Sequence, residues 1–128
     1  MDFPWAAGIG SGGGDGTSCG NITISGGIVT ATGGEDGAGI GSGSDGNELR
    51  PQCANITISG GTVTAIGNEN GAAIGTGMRG KCGDITITSK VTKVTATRSE
   101  YPDESIGAGF DGICGTVTIE KGANVIQN

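Results

Sequence analysis

The sequence predicts an all-β chain wound as a right-handed parallel β-helix of about four rungs, each built from three short strands. Three observations lead there. Glycine supplies 29 of 128 residues, aromatics only 3%, and histidine none. Without a Gly-X-Y period that glycine content is not collagen, and the many Ile-Thr and Val-Thr pairs are strand formers rather than a disordered linker. The nonapeptide "CGNITISGG" from Cys19 returns as "CANITISGG" from Cys53. Apolar residues alternate with threonine through each copy, the period of a strand with one buried face.

Residues 1–5, "MDFPW", form the expected N-terminal cap, with Phe3 and Trp5 as an apolar lid. One domain follows, in repeats of approximately 6–36, 37–70, 71–103 and 104–128. The first strand of each rung lies in "AAGIGSG" at Ala6, "GAGIGSG" at Gly37, "GAAIGTG" at Gly71 and "ESIGAGF" at Glu104. There Ile9, Ile40, Ile74 and Ile106 are expected to face inward. The second strand is "NITIS", "NITIS", "DITIT" and "TVTIE", each preceded by Cys19, Cys53, Cys82 or Cys114. Ile22/Ile24, Ile56/Ile58, Ile85/Ile87 and Val117/Ile119 point in, and Thr23, Thr57, Thr86 and Thr118 point out. The third strand is "IVTATGG" from Ile28, "TVTAIGN" from Thr62, "KVTATRS" from Lys93 and a degenerate "GANVIQN" from Gly122.

The cysteines stand 34, 29 and 32 residues apart. Unequal spacing with constant strand registers suits a solenoid, where insertions fall at corners and each rung matches its neighbour. Parallel crossovers set the expected right hand. At about 4.8 Å per rung the body stands roughly 20 Å tall, with an interior no single repeat could bury alone. A propeller needs about four strands per blade, and a β-prism needs antiparallel sheets.

Composition also excludes function classes. A net charge of −6, with seven scattered basic residues, leaves no stripe to neutralise phosphates, so nucleic acid is not an expected partner. No apolar run approaches the ~20 residues that span a bilayer, and "MDFPWAAG" lacks the pattern of a signal peptide. "GTGMRGKC" from Gly75 starts like a phosphate-binding loop, but Cys82 stands where Ser or Thr is required and a strand is expected where a helix should follow.

Several groups are candidates for chemistry. The four cysteines should stack at one corner, as buried free thiols, as disulfides Cys19–Cys53 and Cys82–Cys114, or as a zinc site. A straight column disfavours the last, because it cannot surround one ion tetrahedrally. Asp15, Asp45 and Asp111 fall at nearly one corner, where the third rung has Arg79. They read either as Asp-Gly turns or, with Glu48, as a calcium site, the cofactor allowed for here. Glu35, Asp36, Glu69, Glu100, Asp103 and Glu104 form a second acidic corner, expected as a solvated edge.

Alternation puts Gly8/Gly10, Gly39/Gly41, Ala73/Gly75 and Ser105/Gly107 outward, a bare ribbon on which a flat polymer or a second copy could dock. Thr30, Thr64 and Thr95 head an outward T-x-T ladder on the third strand, a solvent-face pattern that adds polar contacts beside the ribbon. The expected binding residues are therefore Gly8, Gly10, Gly39, Gly41, Gly75, Gly107, Thr30, Thr64 and Thr95. Few aromatics are present for stacking on sugars.

With "AGIGSG", "CGNITISGG" and "VTATGG" in view, residues 6 to 119 resemble the repetitive β-solenoid regions of large secreted or wall-anchored proteins of anaerobic, mostly Gram-positive, bacteria. More loosely, the chain is similar to calcium-dependent carbohydrate-binding β-helix modules, whose aspartate-rich turns it matches only at Asp15, Asp45 and Asp111. The resemblance implies an extracellular binding or spacer module and transfers no catalytic residue; taken with the flat glycine face, the expected function is an extracellular or cell-surface binding module with polysaccharide as ligand. Two alternatives stand beside it. One is a structural spacer or self-associating adhesin repeat, pairing through the flat face or an open end. The other is a polysaccharide lyase or hydrolase, for which Arg79 within the aspartate column is the only arrangement that can be constructed.

Overall fold

The computed structural model describes residues 5–14, 16–44, 49–102 and 104–128. Phe3 of the expected lid, Asp15, Asp45, Glu48 and Asp103 lie outside the described residues. Ten strands follow in order: β1 (Ile9–Gly10), β2 (Ile22–Thr32), β3 (Ile40–Gly41), β4 (Ile56–Ile66), β5 (Ile74–Gly75), β6 (Ile85–Ile87), β7 (Lys93–Thr97), β8 (Ile106–Gly107), β9 (Val117–Ile119) and β10 (Val125–Gln127). All pairings are parallel, and the described residues contain no helix. The chain is a β-solenoid of about four rungs.

Equivalent residues stack in single file. Ile22 pairs with Ile56, Ile56 with Ile85 and Ile85 with Val117; Val29, Val63, Val94 and Val125 form a second file, and Ile9, Ile40, Ile74 and Ile106 a third. The middle members Ile40, Ile56, Ile58, Ile74, Ile85, Ile87, Val63 and Val94 are fully buried. Each such side chain contributes about 1.5–3 kcal/mol, since rungs above and below remove it from water. Ile9, Ile22, Val29, Val117 and Val125, in the terminal rungs, are only partly buried because a neighbour lies on one side alone.

The second and third strands are separate in only half of the molecule. In the first two rungs they fuse into the 11-residue strands β2 and β4. The corner there is only Gly26-Gly27 or Gly60-Gly61, which bends with φ of 87° at Gly27 and 84° at Gly61 while the pairing shifts around Ser25. Rungs three and four replace it with "TSKVT" and "EKGAN", longer turns that interrupt the ladder. Two side-chain ladders support the corners. Ser11, Ser42 and Thr76 are buried, and their hydroxyls accept from the N–H groups of Gly43, Gly77 and Gly109 at 3.0, 3.2 and 2.8 Å. Outside, Asn21, Asn55 and Asp84 accept through Oδ1 from the N–H groups of Asn55, Asp84 and Thr116 at 3.0, 2.9 and 2.9 Å.

Candidate functional site

The expected glycine ribbon is not on the surface. Gly39, Gly41, Gly75 and Gly107 are buried, and only Gly8 and Gly10 in the first rung are exposed. The reason is local. The segment is a tight loop rather than an extended strand, closed by N–H groups of Ala7, Ala38 and Ala72 donating to the carbonyls of Ser11, Ser42 and Thr76 at 3.1, 3.2 and 2.9 Å. Within it Gly10, Gly41, Gly75 and Gly107 take φ of 136°, 137°, 139° and 144°, which L side chains rarely adopt. A Cβ on Gly10, Gly41 or Gly75 would lie 1.8 Å from the carbonyl oxygen of the glycine in the next rung. These glycines therefore let backbones meet along the axis, and Gly39, Gly41, Gly75 and Gly107 present no surface to a ligand.

Thr30, Thr64 and Thr95 do stack in register, with Thr30 exposed and the other two half-buried. Ile126 continues their file in the fourth rung. Of the three aspartates expected to hold calcium, the described one, Asp111, is an exposed turn residue with φ of 55°. Arg79 occupies the same turn one rung earlier, with φ of 60°, and its Nε lies 3.9 Å from Asp111 Oδ2, an ordinary surface ion pair. Among the described residues no three His, Cys, Asp or Glu side chains converge to hold a metal ion. The second acidic corner keeps its charges close: partial desolvation, then the Asp36 and Glu35 carboxylates, push the Glu69 carboxyl above the usual carboxylate range. Asp36 is also a ladder member there, its Oδ1 accepting from Asn70 Nδ2 at 2.7 Å.

Sequence periodicity missed the groove. It is lined by Gly16, Leu49, Arg50, Gln52 and Lys81 and holds about 430 Å³. Two of its lining residues, Gln52 and Lys81, are the middle members of the bridge column Ser18, Gln52, Lys81 and Ile113, the residues immediately before the four cysteines. Outward side chains of that column face the solvent because the cysteines beside them face the core. Arg50 spans two rungs: its Nη1 donates to the carbonyl of Arg79 at 3.1 Å and to that of Asp111 at 2.7 Å. These bonds fix one end of the guanidinium, while exposed Leu49 supplies an apolar wall. The signal was present as "LRPQC" and "MRGKC", the two places where basic residues precede a cysteine.

Inside the same corner lie the thiols. All four cysteines are free; Cys53 and Cys82 are buried, Cys19 and Cys114 half-buried. Burial pushes Cys19 and Cys114 up from the ordinary thiol range. Between the middle two, Cys82 is raised by its hydrogen bond to Cys53, which is correspondingly lowered.

Two segments, residues 22–44 and 56–78, match the family described as Beta helix repeat. These are the segments carrying β2–β3 and β4–β5, so the match falls on the fused strand, the acidic corner and the glycine loop. No curated protein and no solved structure matches the chain. No helix long and apolar enough to cross a membrane occurs among the described residues.

Proposed function

We propose that this β-solenoid is an extracellular or cell-surface binding module whose ligand is a polysaccharide bearing acidic sugars. The observation that carries the reading is the groove in which Arg50, Lys81 and Gln52 converge beside Leu49. A guanidinium and an ammonium suit a sugar carboxylate, the glutamine amide suits ring hydroxyls, and the leucine suits the apolar face of a pyranose. Arg50 is held by two backbone carbonyls before any ligand arrives, so little side-chain freedom is lost on binding. Thr30, Thr64 and Thr95 offer further hydroxyls in a stacked file on the third strand.

The test is affinity electrophoresis or calorimetry against a uronate-containing glycan and its neutral counterpart, with calcium and with chelator. The acidic glycan should bind. Lys81→Gln and Arg50→Gln should each weaken it by roughly tenfold, the loss of one charge-assisted hydrogen bond. Equal affinity for both glycans, or no change in Lys81→Gln, would overturn the reading. A specific observation favours a second reading, the self-associating spacer: among the described residues β2 pairs with β4 alone, and Ile28 on it is 89% exposed. Silence toward both glycans together with concentration-dependent dimers in sedimentation would select it.

A further inference from the structure

The cysteine file is independent of the groove and has its own chemistry. The residue before each cysteine bridges to its neighbours in parallel, Ser18 to Gln52, Gln52 to Lys81 and Lys81 to Ile113. The cysteine N–H groups continue the ladder, Cys19 donating to Gln52, Cys53 to Lys81 and Cys82 to Ile113, each at 3.0 Å. The four sulfurs are thus held one per rung on the core side, packed with the isoleucine and valine files. We propose that this file is a binding site for thiophilic monovalent cations of the copper(I) and silver(I) class, one held between Cys19 and Cys53 and a second between Cys82 and Cys114.

Geometry selects the ion. A sulfur in a straight file has neighbours only above and below, which denies a tetrahedral ion its third and fourth ligands but supplies a linear ion with both of its own. Two metal–thiolate bonds of about 2.3 Å laid end to end span about 4.6 Å, close to the rung spacing of about 4.8 Å. Thiolates packed against an isoleucine and valine core select soft metals. Each ion forms two metal–sulfur bonds and displaces two thiol protons, with no change of oxidation state. At the ends of the file those protons are donated to carbonyls of Gly20 and Gly115 at 3.5 and 3.3 Å. The half-buried Cys19 and Cys114 give each pair an accessible member, so entry does not require the central rungs to open.

Copper(I) titrated without oxygen into the fully reduced chain, against a competing chelator, tests this. The expected result is two ions per chain, each with two sulfur neighbours by X-ray absorption, and no displacement by zinc. Cys19→Ser and Cys114→Ser should each lose one ion, and the double variant both; these half-buried positions tolerate serine, which circular dichroism verifies. Coordination by three or four sulfurs, a single central ion that survives Cys19→Ser, or displacement by zinc would each overturn the proposal. The wild-type ion count and coordination number decide it even if a variant unfolds.

Discussion

One methyl group on Gly41 tests whether the rungs are held at backbone contact. The φ of 137° places the residue where side chains are strained, and the added Cβ would lie 1.8 Å from Gly75 O and 2.7 Å from Gly75 C. Strain of that backbone class costs about 1–3 kcal/mol. Overpacking adds about 1–3 kcal/mol, and the struck atoms are backbone of the next rung rather than a side chain that can rotate away. The sum is about 2–6 kcal/mol. Gly20 is the control, because its φ is not in the left-handed region and nothing lies within 4 Å of its Cβ position, so Gly20→Ala should stay within about 0.5 kcal/mol. Urea unfolding reads the difference: at a slope of about 2 kcal/mol per molar, a loss of 4 kcal/mol lowers the midpoint by about 2 M. Equal midpoints for Gly41→Ala and Gly20→Ala would show that the glycine column is not in axial contact, and the burial argument against the docking ribbon would fail with it.

Two further outcomes follow from the ladders and the thiols. Asn55→Ala removes the acceptor for the Asp84 N–H at 2.9 Å and should cost about 1 kcal/mol in the same urea assay, whereas the outward Thr57→Ala should be nearly neutral. In the reduced, metal-free chain, Cys19, Cys82 and Cys114 keep their protons to higher pH than unfolded thiols do, and only Cys53 opposes them. Their contribution is therefore complete below the unfolded thiol value of about 8.5 and declines as pH rises beyond it. The urea midpoint should fall as pH rises above about 8.5, and that fall should shrink in Cys19→Ser/Cys114→Ser.

The interior was legible in the sequence because alternation is a sound guide wherever φ is in the ordinary extended region. Ile56, Ile58 and Ile85 obey it and are completely buried. It failed in "GAGIGSG" because Gly41 has a left-handed φ, which breaks the simple up-down order of side chains. The same segment closes on itself through the Ala38-to-Ser42 bond, so residues read as an open ribbon lie inside a loop. The two ladders were visible as columns, Ser11/Ser42/Thr76 and Asn21/Asn55/Asp84, but a column shows that a position recurs without showing which N–H its side chain meets. The groove was least legible. Arg50 reaches from the second rung to the fourth, and no repeat period encodes a contact that skips a rung.

That groove also limits what kind of acidic polymer the chain could hold. Its cations sit in a protein of net charge −6, and the turn that accepts from Arg50 carries the exposed Asp111 carboxylate. A densely charged polyanion would meet repulsion from the whole body before its first carboxylate reached Arg50, since fields persist over about 8 Å at physiological salt. A glycan with acidic groups spaced by neutral sugars pays less of that repulsion while still presenting one carboxylate to Arg50 and Lys81. On the proposed reading, selectivity therefore comes from a rigid local pairing working against the overall field. On that same reading the fixed guanidinium, rather than the count of basic residues, would govern the affinity.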